Sequence, residues 1–224
     1  MSRQPIDSSS TEPHLEARWP ILTAVVVVMT LTALRPAEIR LAAPWVLPTI
    51  ELALLAAILT SHPARGGRHA GLLRAISIVV VCVVLVDTLG ATVRLIDVLV
   101  HGGRVTNSAE ELLTVGGVIW ASNAIAFALL YWLLDSGGAA ARAESRATHP
   151  DLAFPQQLDP ELARPGWKPQ FIDYLYLGLT ASTAFSPTDV MPLVPWAKVA
   201  MGAQSMISLA VLGLVVARAV NVFT

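Results

Sequence analysis

The chain has 224 residues, 54% hydrophobic and only 14% charged, with a formal net charge of −1. Soluble domains carry about 25% charged residues, so this balance excludes an ordinary soluble domain and points to an integral membrane protein whose first partner is the lipid bilayer. It also excludes the basic surface that a nucleic-acid partner requires, and the single cysteine, Cys82, excludes an intrachain disulfide.

Residues 1–18 (MSRQPIDSSSTEPHLEAR) are polar, Ser-rich and mixed in charge, which predicts a disordered tail. A secretory signal is the rival reading. Asp7, Glu12 and Glu16 offset Arg3 and Arg18, and no small-x-small cleavage site follows, so the first apolar run is read as a retained span.

A bilayer helix needs about 20 mostly apolar residues. The expected fold is all-α and polytopic, with about five transmembrane helices and one re-entrant half-helix. Trp19 to Leu34 is the first and shortest candidate. Leu41 to Ser61 is the second, with Pro44 and Pro48 in its opening turns, where a missing N–H costs least. Leu72 to Val100 is the third and completes a three-helix region over 19–101. Ser108 to Leu134 is the fourth and Pro195 to Val222 the fifth. Between these two, the segment 137–169 reads as an exposed connector, and Phe171 to Ala184 is apolar but too short to span. Trp19, Trp45, Trp132, Trp167 and Trp196 fall near span ends, where an aromatic belt would place them. Gly202 and Gly213 in the last span are bending points or close helix contacts.

The motifs of soluble catalysis are missing. There is no G-x-x-x-x-G-K-[ST], H-E-x-x-H, C-x-x-C or G-x-S-x-G, and no nucleophile–base pair is visible, so an enzyme is not expected. His14, His62, His69, His101 and His149 are scattered over tail and loops, which gives no metal site. No cofactor is implied.

Ionisable residues inside apolar runs are the sharper signal. Glu51 lies in the second span, Asp87 in the middle of the third, and Arg94 and Asp97 one turn apart near its end. A charge at bilayer depth costs about 2.5–3.5 kcal/mol on insertion scales, so each should face protein or water. Arg94 and Asp97 can pair with each other. Glu51 and Asp87 are either a polar clamp or a proton-relay pair, the second option being that of a proton-coupled carrier. Asn123, mid-span in the fourth helix, reads as an interhelical hydrogen-bond partner.

From the fourth span onward the order is long helix, connector, short apolar helix, hydroxyl-rich turn, Asp189, Pro192, long helix. This order, spread over 108–222, resembles the pore module of tetrameric potassium-channel-like proteins, in which T-T-V-G-Y-G-D-x-x-P follows the pore helix. Thr183, Asp189 and Pro192 match that pattern. The segment D-Y-L-Y-L…T-A-F-S-P-T-D is also similar to the signature of a bacterial family of small integral membrane proteins of uncharacterised activity. The first resemblance implies a multi-pass protein of the cell membrane, a homo-oligomer (a tetramer), passage of inorganic ions, and a pore lined by Thr183, Ser186, Pro187, Thr188 and Asp189. Both filter glycines are replaced, by Ser186 and Thr188, and Pro187 stands in place of the aromatic residue. Proline fixes its own φ and biases Ser186 toward extended backbone, so the implied pore prefers cations through a ring of Asp189 carboxylates and is not potassium-selective. A capping turn is the competing reading: Ser186 at N-cap, Pro187 at N1 and Asp189 at N3 would start a short helix. A non-conducting membrane scaffold that keeps a pore-like hairpin fits the same residues.

Orientation divides the two lines of reasoning. Arg65, Arg68 and Arg74 lie in one acid-free loop, which the positive-inside rule assigns to the cytoplasm. The pore resemblance assigns the same loop to the outside.

Overall fold

The computed structural model describes residues 19–60, 68–143, 149–159, 161, 163–183 and 189–223. It is nearly all helical. In chain order the elements are α1 (Trp19–Leu34), α2 (Val46–Thr60), α3 (Arg68–His101), α4 (Ala109–Leu134), α5 (Ala139–Ala143), β1 (Leu152–Ala153), α6 (Pro155–Leu158), α7 (Phe171–Thr183), β2 (Met191–Pro192) and α8 (Pro195–Phe223). The polar tail 1–18 and Ser186, Pro187 and Thr188 lie outside the described residues.

Among the described residues, three stretches are long and apolar enough to cross a membrane: Gly71–His101, Ala109–Gly137 and Pro195–Val220. The helices α1 and α2 are apolar but shorter, with 16 and 15 residues. The outward surface is that of a membrane protein. Leu72, Val79, Val86, Val93 and Val100, seven residues apart on α3, are all more than half exposed, a stripe that water would penalise and lipid does not. Met206, Leu209, Val216 and Val220 do the same on α8.

The helix α4 is the most buried of the three long helices and forms the axis of the bundle. It starts cleanly because the Ser108 hydroxyl accepts the Glu111 N–H (3.3 Å), capping one of the four orphan donors of a helix start. On one side α3 and α1 pack along it, with α2 against both; on the other α7 and α8 do so. Two apolar clusters fill the interior. The larger contains Val25 and Val28 of α1, Val81 and Val84 of α3, residues 125–133 of α4, and Tyr174 and Leu177 of α7. The smaller contains Ala91 and Leu95 of α3, Leu112, Val115 and Ile119 of α4, and Val211 and Val215 of α8. On each long helix, the turn between the two clusters carries polar residues that are buried: Asp87 and Thr88 on α3, Ser122 and Asn123 on α4, Gln204 and Ser208 on α8.

The second apolar helix begins at Val46 rather than Leu41. Residues 35–45 make a bend instead, with the Ile39 and Arg40 N–H groups donating to the Pro36 carbonyl (3.0 and 3.2 Å) and Ile39 fully buried in the smaller cluster.

The connector 137–169 is not simply exposed. Leu152, Ala153 and Phe154 are 0%, 1% and 3% exposed, and Leu152 and Phe154 join the larger cluster. The cause is Asp135, at the end of α4, whose Oδ1 accepts the Asp151 and Leu152 N–H groups (3.1 Å each) while Oδ2 accepts the Tyr174 hydroxyl (2.5 Å). Phe154 then meets Tyr174 and Trp167 edge-on. The strand β1 pairs antiparallel with β2, Leu152 opposite Pro192, which ties the connector to the segment just before α8. Trp132 also departs from the belt expectation. It is buried and packs edge-on against Phe171 (centroids 6.2 Å apart). Trp19 and Trp45 are exposed.

Candidate functional site

Two polar assemblies occupy the layer between the apolar clusters. The first joins α1, α2 and α3. Arg35, one residue beyond α1, donates through Nη1 to Asp87 Oδ2 and forms an ion pair with it. The Thr32 hydroxyl donates to Glu51 Oε1 (3.1 Å). All four side chains are buried: Thr32 6%, Arg35 1%, Glu51 1% and Asp87 6% exposed. The assembly is incomplete in hydrogen bonds. Arg35 Nε and Nη2 and Glu51 Oε2 are buried without a partner among the described residues. Buried polar groups are paired in the great majority of cases, and orphaned ones mark a place where water, an ion or a second conformation belongs. A small cleft opens beside Arg35, lined by Thr32, Arg40, Leu41, Leu47 and Asp87 among others.

The second assembly joins α4, α7 and α8. Gln204 Nε2 donates to the Gly178 carbonyl (2.6 Å) and to Ser182 Oγ (2.8 Å), and Gln204 Oε1 accepts the Tyr131 hydroxyl (2.6 Å). Ser205 Oγ donates to the Ala181 carbonyl (3.1 Å) and Trp120 Nε1 to the Ser182 carbonyl (3.0 Å). Asn123 Nδ2 donates to Ser208 Oγ (2.8 Å), while its Oδ1 is buried without a partner among the described residues. The carbonyls left open at a helix C-terminus must find donors. Here α4 and α8 supply them, so the end of α7 is fixed by side chains of its two neighbours. Close approach makes this possible. A Cβ on Gly178 would lie 2.6 Å from the Ala124 carbonyl oxygen, so only glycine lets α7 sit this near α4. Gly202 and Gly213 face open space, so neither is a close helix contact within the chain.

The residues singled out by sequence fall into separate places. Glu51 and Asp87 are brought together, with Arg35 between α1 and α3 as the partner the sequence reading did not assign. Arg94 and Asp97 do not pair: both are exposed, and Asp97 lies 3.0 Å from His101 Nδ1, one turn on. At i,i+3 the two side chains share a face, but both have solvent or lipid to reach toward and nothing holds them together. The Thr183 hydroxyl turns back to the Thr180 carbonyl (2.8 Å). Asp189 is exposed at the bend before β2. Ser186, Pro187 and Thr188, the rest of the expected lining, lie outside the described residues. Gln204, which organises the second assembly, was not read from sequence. Its one signal is an amide in an otherwise uncharged apolar run.

Among the described residues no group of three or more His, Cys, Asp or Glu could hold a metal ion. No protein-family model matches the chain, and comparison with curated proteins and with solved structures finds no match.

Proposed function

We propose that the chain is a five-span protein of the cell membrane, with α1, α2, α3, α4 and α8 crossing and α7 as a re-entrant half-helix. The hairpin from α7 to α8 forms the constriction of a cation-preferring pore that is not potassium-selective and that further copies of the chain, four in the resembled architecture, complete.

One observation carries this reading. The helix α7 has 13 residues, about 20 Å, too short to cross, yet it is docked between two long helices with its C-terminal carbonyls held by Gln204, Ser205 and Trp120. A half-helix fixed in this way points the negative end of its dipole toward the segment that follows it in the chain. The exposed carboxylate of Asp189 adds charge of the same sign, and both favour a cation. The test is the reversal potential of the purified protein in liposomes under a salt gradient. Asp189→Asn should reduce cation preference, most strongly at low ionic strength where screening is weak, and Asp189→Lys should invert it or close the path. A reversal potential equal in all three proteins overturns the pore. Absence of any flux leaves the scaffold reading in its place.

The unpartnered Oε2 of Glu51 supports a second reading, a proton-coupled carrier working through Glu51 and Asp87. It requires saturable flux that Asp87→Asn abolishes and that Asp189→Asn leaves intact.

A further inference from the structure

The guanidinium of Arg35 is used on one side only. Nη1 holds Asp87, while Nε and Nη2, which together form the straight donor edge of the group, have no partner among the described residues although the residue is 1% exposed. That edge is the fork that fits two coplanar oxygens bidentately. Arg35 lines the cleft formed with Thr32, Arg40, Leu47 and Asp87. Arg40, fixed by its Nη2 bond to the Ala33 carbonyl (2.7 Å), brings a second cation whose Nε is likewise buried and unpartnered. Two guanidiniums and the carboxylate of Asp87 line the cleft. Glu51, bound by Thr32, does not line it, although it lies within electrostatic reach of Arg35 and Asp87.

We propose that this cleft is a binding site for a small carboxylate monoanion, seated on the Nε/Nη2 edge of Arg35 with Arg40 as the second charge. The proposal is independent of the pore and concerns the opposite side of α4. The fork accepts two phosphate oxygens as readily as two carboxylate oxygens, so the choice of a carboxylate over a tetrahedral oxyanion rests on size. The narrowness of the cleft, between the 40–47 segment and α3, restricts the ligand to the smallest members of the class.

The experiment is calorimetric titration of the lipid-stripped full chain in detergent with sodium formate. Sodium chloride and sodium phosphate at equal ionic strength serve as comparisons. Saturable heat with formate and none with chloride or phosphate is expected. The variant Arg35→Gln/Asp87→Asn removes the fork and balances the charge, so it keeps the pair neutral; it should weaken formate binding at least about tenfold. Arg40→Gln, which leaves the Arg35–Asp87 pair in place, should weaken it several-fold and provides the measurement if the double variant does not fold. No saturable formate heat in wild-type protein that melts cooperatively overturns the site. So does formate binding undiminished in both variants, and saturation by chloride or phosphate at the same affinity overturns the assignment to a carboxylate.

Discussion

Arg35 and Asp87 meet across 52 residues of chain as a closed ion pair, with side chains 1% and 7% exposed. A buried pair of this kind gains little over two well-packed apolar residues, but removing one partner leaves the other as an uncompensated buried charge, at a cost of about 3–5 kcal/mol. Asp87→Leu and Arg35→Met should each lower the unfolding temperature of the detergent-solubilised protein sharply. The double variant Arg35→Met/Asp87→Leu should recover most of the loss. Additive losses in the double variant would mean that the two side chains do not depend on each other.

Gln204 should behave as the fastening of α7. Gln204→Leu removes donors from the Gly178 carbonyl and Ser182, and takes from the Tyr131 hydroxyl its partner in an apolar interior. One orphaned buried group costs about 1–3 kcal/mol. Backbone hydrogen exchange should rise in residues 171–183 before it rises in α3, because only α7 loses its attachment.

Two glycines give a sharper comparison. Gly178→Val puts a side chain where a Cβ already meets the Ala124 carbonyl oxygen at 2.6 Å, and backbone on backbone cannot relax as a flexible side chain can. It should displace α7 and destabilise the fold by a few kcal/mol, of the order of 1–3 for overpacking. Gly213→Val meets nothing within 4 Å and should be neutral for the monomer. Gly213→Val disrupting the size of the solubilised complex would place α8 at a contact between copies.

How much of this was legible follows from what each feature depends on. The helices were readable because an uninterrupted apolar run needs no partner to be recognised. Trp19–Leu34 and Phe171–Thr183 lie within a residue of their sequence expectations, and the fourth span was expected from Ser108, the residue before α4 begins. The burial of Asp87 was readable too, since a carboxylate in an apolar run has to face protein. Its partner was not: Arg35 sits in what reads as a loop, and only the bend over 35–45 returns it to the level of Asp87. The Arg94–Asp97 pair failed for the opposite reason. Correct spacing on one helix carries no information about whether a competing contact, here His101, is nearer. Connector residues 152–154 are buried through a carboxylate 17 residues earlier in the chain, a relation that composition and periodicity do not encode.

That carboxylate yields its own test. Asp135 is fully buried and accepts from the Ser136 hydroxyl, the Asp151 and Leu152 N–H groups and Tyr174. Arg142 stacks on the same Tyr174 ring at 4.9 Å and donates to the Trp132 and Asp135 carbonyls. Asp135→Ala should release residues 149–154 from the core and expose them to protease, with a stability loss above that of an average substitution, about 1 kcal/mol. Asp135→Asn keeps the acceptor at Oδ1 and should lose much less. Equal losses would show that the charge, not the acceptor geometry, holds the connector.

The disposition of the ends can be tested apart from conduction. Arg74 near the start of α3 donates to the Leu133 carbonyl at the end of α4 (3.4 Å), and Gly138 packs against the same guanidinium. The start of α3 and the end of α4 are therefore neighbours, and the loops preceding and following them must open on one side of the membrane. Five crossings with a re-entrant α7 then put residues 66 and 163 together and residue 224 on the far side. Cys82 points outward, so Cys82→Ala supplies a cysteine-free background at little cost, into which Gly66→Cys, Ala163→Cys and Thr224→Cys are introduced singly. An impermeant thiol reagent added to intact cells should label positions 66 and 163 alike and leave 224 unlabelled, which is the orientation a pore fed from outside requires. Labelling of 224 alone reverses the orientation in favour of the arginine loop and removes the pore direction while preserving the helical arrangement. Labelling that separates 66 from 163 breaks the arrangement itself, because no even pairing of crossings keeps the Arg74–Leu133 contact with those two loops on opposite sides.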